Sequence, residues 1–83
     1  MRMMIVIQLD QQDFAAMSTL APQEEAHGRK LMNEGTIEAI FISADRLHVW
    51  AVMKGKSQEQ IEQELKGFPL YHYYKKVQLV PLH

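Results

Sequence analysis

The chain has no cysteine among its 83 residues. That excludes a disulfide framework, a thiolate nucleophile and any cysteine-based zinc site. Glycine occurs only four times and proline three times. They are scattered, so there is no glycine-rich phosphate loop, flexible linker or low-complexity segment. An excess of one charge sign is also missing. The formal net charge of -1 gives no bulk attraction for nucleic acid or for an anionic membrane surface. Lys75 and Lys76 follow two tyrosines, but two lysines do not make a nucleic-acid patch. No apolar run reaches bilayer length, and "MMIVI" near the start is too short for a signal-peptide core. The histidines at 27, 48, 72 and 83 have no i, i+4 spacing, so no metal site is expected. There is no G-x-S-x-G nucleophile elbow. These absences lead to the expectation of a cytoplasmic protein, one domain over residues 1–83, without a metal site and without nucleic-acid or membrane partners.

What is present is a regular alternation of strand-like and helix-like segments. "MMIVIQL", residues 3–9, is short, apolar and rich in branched side chains, as a strand is. Asp10 or Asp13 can cap the helix that follows. From Phe14 the apolar positions keep helical spacing through Met17, Leu20, Gly28 and Leu31. Pro22 interrupts them and predicts a kink or a split, with a new first turn at the proline. Gly35 is placed to stop the helix. "TIEAIFIS" and "RLHVWAVM", residues 36–43 and 46–53, read as a hairpin turning at Ala44 and Asp45. Ser57 and Gln60 have capping-box spacing. The helix "QEQIEQELK" follows, with Ile61 and Leu65 on one face, and ends at Gly67 before Pro69. "KKVQLVPL", residues 75–82, is the last strand.

The order β-α-β-β-α-β predicts a ferredoxin-like α+β fold, a four-stranded antiparallel sheet with two helices on one face. The uncovered face of such a sheet is ordinarily polar. Here both faces are apolar. Met3, Ile5, Ile7 and Leu9 oppose Met4 and Val6. Ile37, Ala39 and Phe41 oppose Ile40 and Ile42. Leu47, Val49, Ala51 and Met53 oppose Trp50 and Val52. Val77 and Leu79 oppose Val80 and Leu82. An apolar patch of that size needs a cover, and the simplest is the same face of a second copy. The expectation is a homodimer, with higher assembly open, forming a dimeric α+β barrel.

The helix ending in Glu24, Leu31 and Gly35, with Glu and Leu seven apart and Leu and Gly four apart, is followed by the hairpin "EGTIEAIFISADRLHVWAVM". A Pro-Leu-aromatic-x-aromatic cluster (Pro69, Leu70, Tyr71, Tyr73) then leads into the closing strand. Over roughly residues 20–82 this pattern resembles the muconolactone delta-isomerase family. The resemblance implies the dimeric α+β barrel and a cofactor-free shift of a double bond within a lactone.

Glu24 shares a helical stripe with Met17, Leu20, Gly28 and Leu31, so it is expected to look toward the sheet. The resemblance gives it the place of a family glutamate. A carboxylate in an apolar cleft suits proton transfer α to a carbonyl. Its plainer reading is an acidic residue favoured in the first turn after Pro22. His27, one turn on, is the candidate assistant, or else a helix-edge histidine. His48 and Trp50 share a face of the third strand and line either the cleft or the subunit interface. Tyr71, His72, Tyr73 and Tyr74 suit a packing role first and a pocket wall second, and among them Tyr71 and Tyr73 are the candidate substrate-binding walls. Three readings stay open: a proton-transfer isomerase acting on a small lactone or aromatic-derived acid, a non-enzymatic ligand-binding or assembly module, and a cofactor-free oxygenase.

Overall fold

A computed structural model describes all 83 residues. Strand β1 (Arg2–Gln8) leads through a 3-10 turn (Gln11–Asp13) into two helices, α1 (Phe14–Ser18) and α2 (Ala21–Asn33). The hairpin β2 (Ile37–Ile42) and β3 (His48–Lys54) comes next. Helix α3 (Gln58–Lys66), a second 3-10 turn (Tyr71–Tyr73) and β4 (Lys76–Leu82) complete the chain. The four strands form one antiparallel sheet in the order β2-β3-β1-β4. This is the ferredoxin-like α+β fold.

Pro22 splits the first helical region rather than bending it. It stands in the first turn of α2, where its missing N–H is not needed and its fixed φ suits the start of a helix. The fold therefore has three α-helices instead of the expected two. Gly35 ends the region with φ 83, a left-handed conformation that costs a glycine nothing sterically. Ser57 caps α3, its hydroxyl accepting from the Gln60 N–H at 3.2 Å.

The core lies between one face of the sheet and the helices. Met3, Ile5 and Ile7 of β1 are buried there with Ala51 and Met53 of β3, Leu31 of α2, and Ile61 and Leu65 of α3. Alternation places Met3, Ile5 and Ile7 opposite Met53, Ala51 and Val49 on one side and Pro81, Leu79 and Val77 on the other. Each buried branched side chain contributes about 1.5–3 kcal/mol relative to exposure.

Strand β2 departs from its expected facing. A register shift lies between Ile37 and Ala39: Ile37 pairs with Met53, but Ala39 already pairs with Val52. The extra residue, Glu38, moves Ile37 to the helix face with Ile40 and Ile42, and leaves Ala39 and Phe41 on the open face. The Glu38 carboxylate is held by Arg2 at 2.7 Å, and that hydrogen bond lowers its pKa from the ordinary glutamate value. The hairpin loop is also longer than two residues. Ser43 N–H donates to the His48 carbonyl at 3.0 Å. Inside that closure the Asp45 carboxylate accepts from Ser43 Oγ at 2.6 Å and from the Leu47 N–H at 2.9 Å.

The open face carries Met4, Val6, Ala39, Phe41, His48, Trp50, Val52, Val80 and Leu82, as the pairing registers require. Phe41 is 62% exposed, Val80 40% and Trp50 37%. No helix is long and apolar enough to cross a membrane.

Candidate active site

A cleft of about 360 Å³ opens between α2 and the helix face of β2 and β3. Its walls are mostly apolar: Gly28 and Met32 from α2, Ile40 and Ile42 from β2, Val49 from β3, and Phe68 and Leu70 from the segment after α3. Gly28 keeps it open. A Cβ built there would reach Ile40 Cδ1 and Phe68 Cε1 at 3.9 Å, ordinary contact, so the missing methyl is cleft volume rather than relieved strain.

Glu24 is the polar centre of this wall. Its N–H donates to the Leu20 carbonyl at 2.9 Å, which fixes it in the first turn of α2, where the helix dipole favours an acid. From there the side chain reaches the far end of the chain. Oε1 accepts from the Leu70 N–H at 2.9 Å, and Oε2 accepts from the Tyr74 hydroxyl at 2.6 Å. The first contact supplies a cap that the 3-10 turn at Tyr71–Tyr73 otherwise lacks. The second ties α2 to the entry of β4. A carboxylate offers about four acceptor sites, so two donors leave one lone pair free on each oxygen.

Tyr74 is the residue that sequence reasoning grouped with packing. It lines the cleft beside Glu24. Burial, and then the hydrogen bond to Glu24, push its phenol far above the ordinary tyrosine value. It therefore acts as a permanent donor to Glu24 and not as a base. Tyr71 stands behind it, edge to face, with ring centroids 5.7 Å apart, and packs on the core.

Of the residues singled out from sequence, Glu24 alone lines the cleft. His27 lies outside it. The imidazole packs edge-on against Phe68, with centroids 4.5 Å apart, and its Nε2 is buried without a hydrogen-bond partner. His48 and Trp50 stack at 5.9 Å on the open face of the sheet, so the third strand presents them away from the helices. Tyr71 and Tyr73 form the 3-10 turn and do not line the cleft. The cleft adds residues that no local pattern marked: Tyr74, Phe68, Arg29 and Arg46. Nowhere do three or more His, Asp or Glu side chains gather in a way that could hold a metal ion.

The sequence model of the muconolactone delta-isomerase family matches residues 1–83, the whole chain. The chain belongs to the muconolactone delta-isomerase family. The match extends the resemblance seen in the sequence to the first strand and α1. No curated protein matches the chain. Among solved structures, it is similar to 5-chloro-2-hydroxyhydroquinone dehydrochlorinase from Burkholderia phenoliruptrix, in complex with 2,5-dihydroxybenzoquinone. That likeness has a TM-score of 0.84 at 10% identity and covers 100% of this chain and 94% of the other. It supports the α+β fold. Within this family member, the fold brings Glu24, from its first third, to Tyr74, from its last strand's approach, on one wall of an apolar cleft.

Proposed function

We propose that this protein is a cofactor-free proton-transfer isomerase that takes a small unsaturated lactone or aromatic-derived acid, with Glu24 as the proton carrier. The observation that carries this reading is the half-buried Glu24 carboxylate on the wall of an apolar cleft, held at both oxygens by Leu70 N–H and Tyr74 O–H. A free lone pair of Glu24 removes a proton from the carbon next to the unsaturated system. The C–H electron pair enters the conjugated system as a dienolate. Glu24, now a carboxylic acid, returns the proton at the other end, and the double bond has moved with no net change in composition. Tyr74 and the Leu70 amide hold the carboxylate in place, so little reorganisation is needed when the charge moves. A cleft of about 360 Å³ has room for a single ring, and family membership supports lactone chemistry.

The test is deuterium exchange from heavy water into a butenolide, followed by NMR, for the wild type and Glu24→Gln. Acid–base catalysis by one positioned group is worth roughly 10²–10⁴ in rate, and the variant should lose that much. Equal exchange in wild type and variant would remove Glu24 from the mechanism. Ligand binding without any exchange would favour a non-enzymatic binding module, in which Glu24 serves only to tie α2 to the end of the chain.

We also propose a two-fold homodimer through the open sheet face. Its support is the contiguous set of Phe41, Trp50, Val52 and Val80 on that face, of which Phe41 at 62% is the most exposed. Gel filtration of wild type against Phe41→Glu tests it: a dimer converted to monomer is expected, and a monomeric wild type would end the proposal.

A further inference from the structure

Of all the buried side-chain nitrogen and oxygen atoms, only Nε2 of His27 has no hydrogen-bond partner. A buried polar atom left unpaired is rare enough to need a reason. The ring is half buried. It packs edge-on against Phe68, with centroids 4.5 Å apart, and a Cβ built on Gly67 would stand 3.5 Å from Nε2. The imidazole of α2 therefore closes directly on the place where α3 ends. Nδ1 is not sealed in the same way. The neutral ring carries its proton there, toward water, and turns the bare lone pair of Nε2 inward. Protonation adds an N–H at Nε2, and its surroundings offer that donor nothing. The Glu64 and Leu65 carbonyls at the end of α3 already accept from the Gly67 and Phe68 amides at 3.2 Å. Neither of the chain's two ion pairs includes His27.

We infer that His27 is an acid-released latch between α2 and the end of α3. Neutral, it holds the segment from Phe68 to Leu70 in place. Protonated, it swings out to water and frees that segment. The release reaches beyond the contact itself, because the Leu70 amide donates to Glu24 at 2.9 Å. The charged groups around the ring do not offset the new charge. On α2, Glu24 and Lys30 lie three residues to either side, and Glu24 is committed to Leu70 and Tyr74. The last turn of α3 brings Glu64 and Lys66, of opposite sign, and the stretch from Gly67 to Tyr71 brings no charge. The dipole of α3 pulls the other way, since a helix C-terminus favours a cation. That is a partial charge, however, whereas a charged donor without acceptor or water bears the full loss of its hydration. Desolvation therefore decides the direction. The latch is independent of any chemistry in the cleft and is read without turnover.

Urea unfolding of the wild type and His27→Leu, at about pH 7.5 and about pH 5.5, tests the latch on either side of the ordinary histidine range. Leucine packs on Phe68, suits a helix and takes no proton. His27→Gln, neutral at both pH values, is the second variant and should respond as leucine does. The unfolded chain binds a proton at this histidine near the ordinary value of about 6.5, and the latched fold does not. Stability is therefore full above that value and falls as pH drops below it. Over the interval, the folded-to-unfolded ratio should fall by up to about tenfold more in the wild type than in either variant. His48, His72 and His83 are present in all three proteins and cancel. Nuclear Overhauser contacts between the His27 and Phe68 rings, present at the higher pH, should vanish as the His27 ring protonates. An equal pH response in wild type and variants overturns the inference. So does a wild type that gains stability on acidification, which would mean that the end of α3 attracts the cation. A protonated His27 ring that keeps its contacts to Phe68 overturns it as well.

Discussion

Replacing Tyr74 by phenylalanine removes one oxygen and isolates the contact on which the site geometry depends. The ring stays, and with it the edge-to-face packing on Tyr71 at 5.7 Å. What is lost is the 2.6 Å hydrogen bond to Glu24 Oε2. A hydrogen bond to a charged group contributes about 1.5–3 kcal/mol. The lower part of that range applies here, because Glu24 is only half buried and keeps the Leu70 N–H at 2.9 Å. For a domain of this size, about 1 kcal/mol corresponds to about 4–8 °C in Tm, so a loss of roughly 1.5–2 kcal/mol lowers Tm by about 6–16 °C. Thermal unfolding followed by circular dichroism measures it. The partner substitution is Glu24→Gln, whose NH₂ must face one of the two donors and loses that bond. Combined with Tyr74→Phe in a double-mutant cycle, it should show a coupling of at least about 1 kcal/mol. In the exchange assay Tyr74→Phe should lower the rate with little change in KM, as a positioning residue does. A Tm within about 2 °C of wild type, or a coupling below about 0.5 kcal/mol, would refute the view that Tyr74 holds Glu24.

Three further outcomes are expected. Because burial raises the Tyr74 phenol above its ordinary value, the unfolded chain loses that proton first. Stability is therefore full below about pH 10 and falls as pH rises past it, by up to about 1.4 kcal/mol per pH unit, and alkaline denaturant titrations of Tyr74→Phe should lack this component. Gly35→Ala has open space for its methyl but must adopt φ 83, so it should destabilise by about 1–2 kcal/mol in urea unfolding. Gly28→Ala meets only ordinary contacts and removes a glycine from a helix interior. It should stabilise by about 0.5–1 kcal/mol while narrowing the cleft, which calorimetry with a butenolide ligand would report as weaker binding.

Much of this protein is determined by local pattern. Period-two apolar runs, the Ser57 cap, Gly35, Gly67 and Pro22 specify the strands, the helices and their ends, because each acts through neighbours within a few residues. The αβ order then leaves few topologies, and β2-β3-β1-β4 is the one that order anticipates. Glu24 was also visible as an acid on an apolar stripe. The bulge at Glu38 was not, since its cause is pairing with a strand beyond the loop, and it decides which half of β2 faces the helices. The facing of His48 and Trp50 was ambiguous because both sides of β3 are apolar. His27 sits one turn from Glu24 in sequence, yet it turns toward Phe68 and Gly67, a direction set by where α3 ends. Tyr74 looked like one ring among several. Only the closing of β4 against β1 carries it, 50 residues along the chain from Glu24, to within 2.6 Å of that carboxylate. Backbone propensity and periodicity act over a few residues and so are written locally, whereas a hydrogen bond between distant segments exists only after the sheet has brought them together.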